Sequence, residues 1–377
     1  MRKITTLDEF EAAYKARLGE PLPPRRPWRT VSEEWLTRYA DGAGDYNPLF
    51  KDRDYADSGP YHGLIAPPGF LFSIDFGANA SIWGHIPEAD VSMRDLTILY
   101  IGATAEWFRP IWLGDRVRSI ETPTDIRRTT TKQVGEALIC TGTTEYWNSR
   151  GELVARLANQ MLRFPNPGAG VESSPPTPAD GPRVAPDPLV WNRTRRGGEP
   201  RYWDTVSAGD AIPELPKGTY TATELYLFSH GALSTRRARQ VDEGTIDMGA
   251  GGRADPEYAR QARAQSASFD FGPQRICWLT QAVTDWMGDY GTLVRMEARL
   301  RRPNLVGDTN TVRGTVARTY RDEDEACYAD VEVENVNQTG TATASGLATV
   351  KLPARGSVPA QSPLFAPTAE GDSGIYN

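Results

Sequence analysis

The chain has 377 residues, a hydrophobic fraction of 39% and a net charge of −7, values of a globular protein with one or two buried cores. That charge disfavours a general nucleic-acid binder, which needs a basic face to release counterions. No apolar run approaches the ~20 residues of a membrane span, and Met1–Glu9 has no apolar leader core, so neither a membrane anchor nor a secretory signal is expected.

In chain order, the first strand character falls at Thr30–Glu33. Asp45-Tyr46-Asn47-Pro48 reads as a turn, and Ala66-Pro67-Pro68-Gly69 as a helix start, since proline suits the first helical turn. The run Phe70–Ile74 is apolar nearly all round, which predicts a long helix buried in a core. Strands follow at Ala103–Phe108, Ala137–Thr141 and Thr143–Trp147, and a hairpin turn at Asn148–Gly151 leads to a strand at Leu153–Phe164. Residues 165–189 are crowded with Pro, Ser, Gly and Ala and read as a linker.

Beyond the linker the same order returns. Thr221–Glu224 has strand character, and Pro273 opens a helix whose Ile276, Leu279, Val283 and Trp286 form a stripe. Strands are expected at Thr311–Tyr320, Cys327–Asn335 and Ala342–Leu352. Arg109-Pro110-x-x-x-Gly114-Asp115 is echoed by Arg302-Pro303-x-x-x-Gly307-Asp308, 193 residues on. Asp52-x-x-Tyr55-Ala56 matches Asp255-x-x-Tyr258-Ala259 at 203, and Asn148-x-x-Gly151 matches Asn337-x-x-Gly340 at 189. The chain is therefore expected to be α+β, with units at 1–164 and 190–355, the linker at 165–189 and a loose tail at 356–377. The second unit carries about twelve extra residues between Ser234 and Arg253, a Gly-rich charged stretch expected to be a mobile loop at a tunnel mouth.

Three cysteines (Cys140, Cys277, Cys327) lack CxxC spacing, and three histidines (His62, His85, His230) lack HxxH spacing. Reduced core thiols in a cytoplasmic protein are expected, with no disulfide framework, metal or cofactor. The basic runs Arg193–Arg196 and Arg236–Arg239 are either solvated surface or contacts for a phosphate-rich ligand tail.

At Gly44-Asp45-Tyr46-Asn47-Pro48-Leu49-Phe50-Lys51-Asp52, followed by Tyr55-Ala56 and Leu64-Ile65-Ala66, the chain resembles the MaoC-like acyl dehydratases, also called (R)-specific enoyl-CoA hydratases. It is more similar to their long tandem members, whose N-terminal domain is like the dehydratase of type I fatty acid synthase. The resemblance covers roughly 30–165 and 200–353. It implies a double hotdog fold: two tandem units, each an antiparallel sheet wrapped round a central helix. It also implies an enoyl or 3-hydroxyacyl thioester of CoA or acyl carrier protein as substrate, and a homodimer or a hetero-oligomer with another hotdog subunit.

In that family an Asp and a His in the frame Asp-x-Asn-Pro-x-His hold and activate water, while a backbone amide at the central helix start polarises the thioester carbonyl. The resemblance carries the acid–base role to Asp45, with Asn47 orienting it. The His position is Phe50 in the first half and Arg253 in the second. A phenyl ring cannot transfer a proton, so His62 or His230 is the alternative partner for Asp45. Gly69 and Phe70 are the candidates to present backbone amides, and Phe50, Arg253 and Asp285 to line the substrate tunnel; Asp289 is read as part of a turn ending the helix. Two further functions remain open: a non-catalytic or partner-dependent acyl-thioester binder, and a thioesterase on the same scaffold.

Overall fold

The structure, a computed structural model, describes residues 2–22, 28–75, 91–92, 95–132, 134–165, 194–232, 239–240, 246–247 and 267–356. In chain order the first half carries strands β1 (Arg2–Lys3), β2 (Arg29–Thr30), β3 (Val91–Ser92), β4 (Leu96–Trp107), β5 (Arg116–Thr131), β6 (Gly135–Asn148) and β7 (Leu153–Pro165). The second carries β8 (Ala211–Thr219), β9 (Arg239–Gln240), β10 (Ile246–Asp247), β11 (Thr292–Leu300), β12 (Thr309–Arg321), β13 (Cys327–Asn337) and β14 (Ala342–Lys351). The helices are α1 (Leu7–Lys15), α2 (Glu33–Ala43), α3 (Arg53–Ser58), α4 (Leu71–Ile74), α5 (Ala222–Tyr226) and α6 (Gly272–Met287).

Ten strands form one antiparallel sheet in the order β2-β5-β6-β7-β4-β11-β14-β13-β12-β8. From either edge the sequence of strands is the same, and the halves meet at β4 and β11, where Ala103 pairs with Ala298. Gly102 sits at this seam because a Cβ there would come within 2.7 Å of the Ala298 carbonyl oxygen.

The repeated motif builds the same joint twice. Val31 N donates to Asp115 O and Gly114 N to Val31 O, at 2.8 and 2.9 Å; Tyr220 N and Gly307 N make the same pair with Asp308 O and Tyr220 O, at 2.7 and 2.9 Å. Gly114 and Gly307 both have positive φ, which a side chain would strain. Isolated bridges Ile65–Trp112 and Phe269–Leu305 also correspond. At the helix starts Phe70 N donates to Pro67 O and Gln274 N to Phe271 O, at 2.9 and 3.0 Å. This register sets Pro68 opposite Gly272 and Pro273 opposite Gly69, so the two prolines are one residue out of step. Either position tolerates proline, whose absent amide hydrogen has no partner in a first turn.

α6 is the central helix of the second half, and every residue from Pro273 to Met287 is buried. Its expected stripe is therefore only part of a helix enclosed on all sides. The buried Arg275 is paired: its Nε lies 2.9 Å from Asp270 Oδ2, and its Nη1 donates to Thr343 O at 2.8 Å and to Arg302 O. In the first half the described helix is short, a 3₁₀ turn at Pro68–Phe70 running into α4.

Of the strand expected at Thr30–Glu33 only Thr30 is in a strand, β2, and Ser32–Glu33 opens α2; the one expected at Thr221–Glu224 is the start of α5. Ser32 Oγ accepts from Trp35 N, and Thr221 Oγ1 from Glu224 N, both at 3.2 Å, and Glu224 returns the bond to complete a capping box. Of the linker only Pro165 is described, closing β7, and of the extra residues between Ser234 and Arg253 only the antiparallel pair β9 and β10; the tail from 357 on lies outside the described residues.

Candidate functional site

The Asp-x-Asn-Pro turn follows α2, which ends in a left-handed Gly44 (φ +65°). Asp45 Oδ1 accepts from Asn47 N at 3.3 Å, and Asn47 Oδ1 from Leu49 N at 3.1 Å, capping the 3₁₀ turn Pro48–Phe50. Asp45 is buried, and burial pushes its carboxyl up to about 6, against the Asn47 amide and the charges of Lys217 and Arg195.

The second half meets this turn with a polar cluster. Lys217, in β8, donates from Nζ to Gly44 O at 3.1 Å and to Gln281 Oε1 at 2.7 Å. Burial pushes its ammonium below the ordinary range. Asp285 lies one turn beyond Gln281 on α6, and burial, then the Asp45 charge, hold its carboxyl well above the usual range. Arg195 Nη1 donates to Tyr46 O at 3.3 Å, and Arg196 N to Asp285 O at 2.7 Å, so the basic run straps the end of α6.

Beside this cluster an apolar slot opens between the halves. Asn47, Phe50, Pro67, Pro68, Leu71 and Trp107 wall one side. Thr284, Met287, Asp289 and Thr292 wall the other. Trp107 Nε1 donates to Pro68 O at 3.1 Å, fixing the wall at the helix start. Asp289 reaches the slot because α6 stops at Gly288 (φ +74°) and the chain turns sharply, with Asp289 N bonded to Gly197 O at 3.0 Å. Its Oδ2 accepts from Tyr55 OH at 2.6 Å. Burial, then this bond, push the Tyr55 phenol up to about 12. A second, more polar hollow, lined by Tyr55, Ser58, Arg196, Glu199 and Tyr290, also has Asp289 in its wall.

Among the expected site residues, Asn47 and Phe50 line the slot, while the Asp45 and Asp285 carboxylates belong to the polar cluster beside it. His62 is exposed, in a left-handed turn (φ +51°) with Nδ1 3.4 Å from Asp57 O, and only its neighbour Tyr61 lines the slot. His230 lies in the π-helix Leu227–Ala232, its side chain outside the described residues, as are His85 and all of Arg253. Phe70 is core, its ring 4.7 Å from Trp35 and 5.5 Å from Tyr39, and its amide is engaged with Pro67. At Gly69 a Cβ would run into the Tyr39 hydroxyl and lie 2.9 Å from Cys277 Sγ, so glycine lets the two helix starts pack. Sequence reasoning missed Lys217, Gln281 and Tyr55, and read Asp289 as a turn. A lysine within a strand and the Gly288-Asp289 break after a buried helix were the available signals.

Among the described residues no helix is long and apolar enough to cross a membrane, and no group of three or more His, Cys, Asp or Glu is placed to hold a metal ion.

Two sheet-and-helix units joined edge to edge, each with the same turn and the same helix start, define a double hotdog fold. Residues 26–157 match the FAS1-like dehydratase domain region. A UPF0336 protein of Streptomyces coelicolor is 28% identical over 111 residues, 29% of this chain and 71% of that protein. A Thermomonospora curvata protein named "probable enoyl-CoA hydratase alpha subunit" is 26% identical over 196 residues, 49% of this chain and 61% of its own length. Among solved structures, a MaoC-like dehydratase matches with a TM-score of 0.66 at 23% identity, over 90% of this chain and 99% of that one. A conserved hypothetical protein of Mycobacterium tuberculosis with a double hotdog fold matches with a TM-score of 0.56 at 13% identity, over 90% and 97%. The chain thus carries a FAS1-like dehydratase region in its first half, on the fold of the MaoC-like dehydratases.

Proposed function

We propose that the chain is a hydratase or dehydratase acting on an enoyl or 3-hydroxyacyl thioester of CoA or acyl carrier protein, with the acyl part in the slot between the halves. The observation that carries this reading is the slot itself. It is apolar, it opens at the start of the first half's buried helix, and Asn47 of the Asp-x-Asn-Pro turn stands in its wall. An apolar channel with a few convergent polar groups suits a flexible acyl chain ending in a reactive polar head. Asp45, its carboxyl raised by burial to about 6, stands in the polar cluster beside the slot and fixes the turn that presents Asn47.

Phe50 favours a second reading. It stands in the slot wall where the resemblance places a proton-carrying His. In this reading the chain binds the acyl thioester and a second hotdog subunit supplies the His, in keeping with the name "alpha subunit" borne by the Thermomonospora relative. A cytoplasmic homodimer or hetero-oligomer belongs to the same proposal.

The test is turnover of 2-enoyl-CoA of graded length by the purified chain, with affinity for saturated acyl-CoA measured in parallel. Hydration by the chain alone supports the first reading. Tight binding without turnover supports the second, and neither binding nor turnover contradicts both.

A further inference from the structure

We infer that Asp289, oriented by Tyr55, is the group that exchanges a proton with the substrate in this slot. The inference rests on the hydratase reading and assigns its acid–base residue. Asp289 is the only carboxylate among the described residues that wall the slot. It is 3% exposed, and its two oxygens differ: Oδ2 accepts from Tyr55 OH at 2.6 Å, whereas Oδ1 is buried with no hydrogen-bond partner among the described residues. A buried carboxylate oxygen left unmatched beside a cavity is placed for a group that arrives with the ligand.

Its surroundings follow the order of an acyl thioester. The apolar slot lies on one side of Asp289, and on the other is the hollow with Tyr55, Ser58 and Arg196. An acyl chain in the slot, with the thioester's arm leaving through this more polar hollow, would set the reacting carbons next to the carboxylate. The backbone there is fixed, because a Cβ at Gly288 would meet Arg196 Cγ at 2.9 Å and Gly197 O at 3.1 Å.

In hydration, Asp289 Oδ1 takes a proton from water while the water oxygen bonds to C3 and the C2=C3 electron pair moves into a thioester enolate. The carboxylic acid then returns a proton to C2, the enolate collapses, and the carboxylate is restored. One water is added, and Tyr55 holds Oδ2 throughout. Dehydration runs the same steps in reverse.

Asp289→Asn keeps an oxygen for Tyr55 and removes the proton acceptor. In the full chain its kcat on a 2-enoyl-CoA is expected to fall by about 10²–10⁴-fold, with KM and the affinity for saturated acyl-CoA little changed. Wild-type kcat in Asp289→Asn overturns the inference and leaves the hydratase reading standing. Should that variant not fold, Tyr55→Phe asks the same question of a half-buried residue: a lower kcat at constant KM supports the pair, and an unchanged kcat overturns it. If the wild type hydrates no enoyl thioester, the reading and the inference fall together.

Discussion

Asp115 and Asp308, 193 residues apart, hold the same turn in the two halves. Each accepts from the amide three residues earlier, Trp112 N or Leu305 N, at 2.9 Å. Both are buried, and each takes one further partner through its other oxygen, Arg150 for Asp115 and Gln338 for Asp308. Alanine at either site leaves an amide unmatched, buried at Leu305 and half-buried at Trp112, so each substitution is expected to cost about 1–3 kcal/mol in urea unfolding. A neutral effect at one site and a large one at the other would deny that the turns are equivalent.

Gly69 predicts a compensating pair. Gly69→Ala should destabilise the chain by about 1–3 kcal/mol, as over-packing does in a close-packed interior. The nearest obstacle is a single atom, the Tyr39 hydroxyl, which donates to Cys277 Sγ at 3.1 Å. Combining Gly69→Ala with Tyr39→Phe should recover part of the loss in thermal melts, and strictly additive losses would contradict this packing.

Asp45 predicts a pH-dependent stability. Its carboxyl is raised from an ordinary 3.8 to about 6, so the folded state holds the proton more tightly than the unfolded chain. Its contribution is complete below about pH 4, is lost as pH rises towards 6, and is level above that. Asparagine stays neutral and can still accept from the Asn47 amide. Asp45→Asn should therefore gain on the wild type as pH rises, approaching about 3 kcal/mol by pH 7. An equal gap at pH 4 and pH 7 would contradict the burial of an ionised Asp45.

What could be read from the sequence was what acts locally. Arg-Pro-x-x-x-Gly-Asp is legible because its aspartate closes its own turn, and Asn148 and Asn337 likewise accept from amides two and four residues on. β5 was not read as a strand, because it is heavily charged and holds Pro123. There the register shifts between Pro123 and Asp125, and β5 has a neighbouring strand on its other edge only at Arg116–Val117, so a missing amide hydrogen costs little. Thr30–Glu33 and Thr221–Glu224 misled because β-branched residues favour strands, whereas here Ser32 and Thr221 cap helices.

The site divides in the same way. Asn47 and Phe50 were legible from a motif within six residues. Lys217 meets Gly44 only across 173 residues, and Tyr55 meets Asp289 across 234, so no local pattern marks either contact.

The most direct measurement is incubation of the purified chain with a 2-enoyl-CoA in oxygen-18 water, followed by mass spectrometry of the thioester and any free acid. If the slot hydrates its substrate, the product is an intact 3-hydroxyacyl thioester carrying oxygen-18 on C3. Recovery of the unchanged enoyl thioester, or of a free acid labelled in its carboxyl group as a thioesterase would leave it, would contradict hydratase chemistry in this protein.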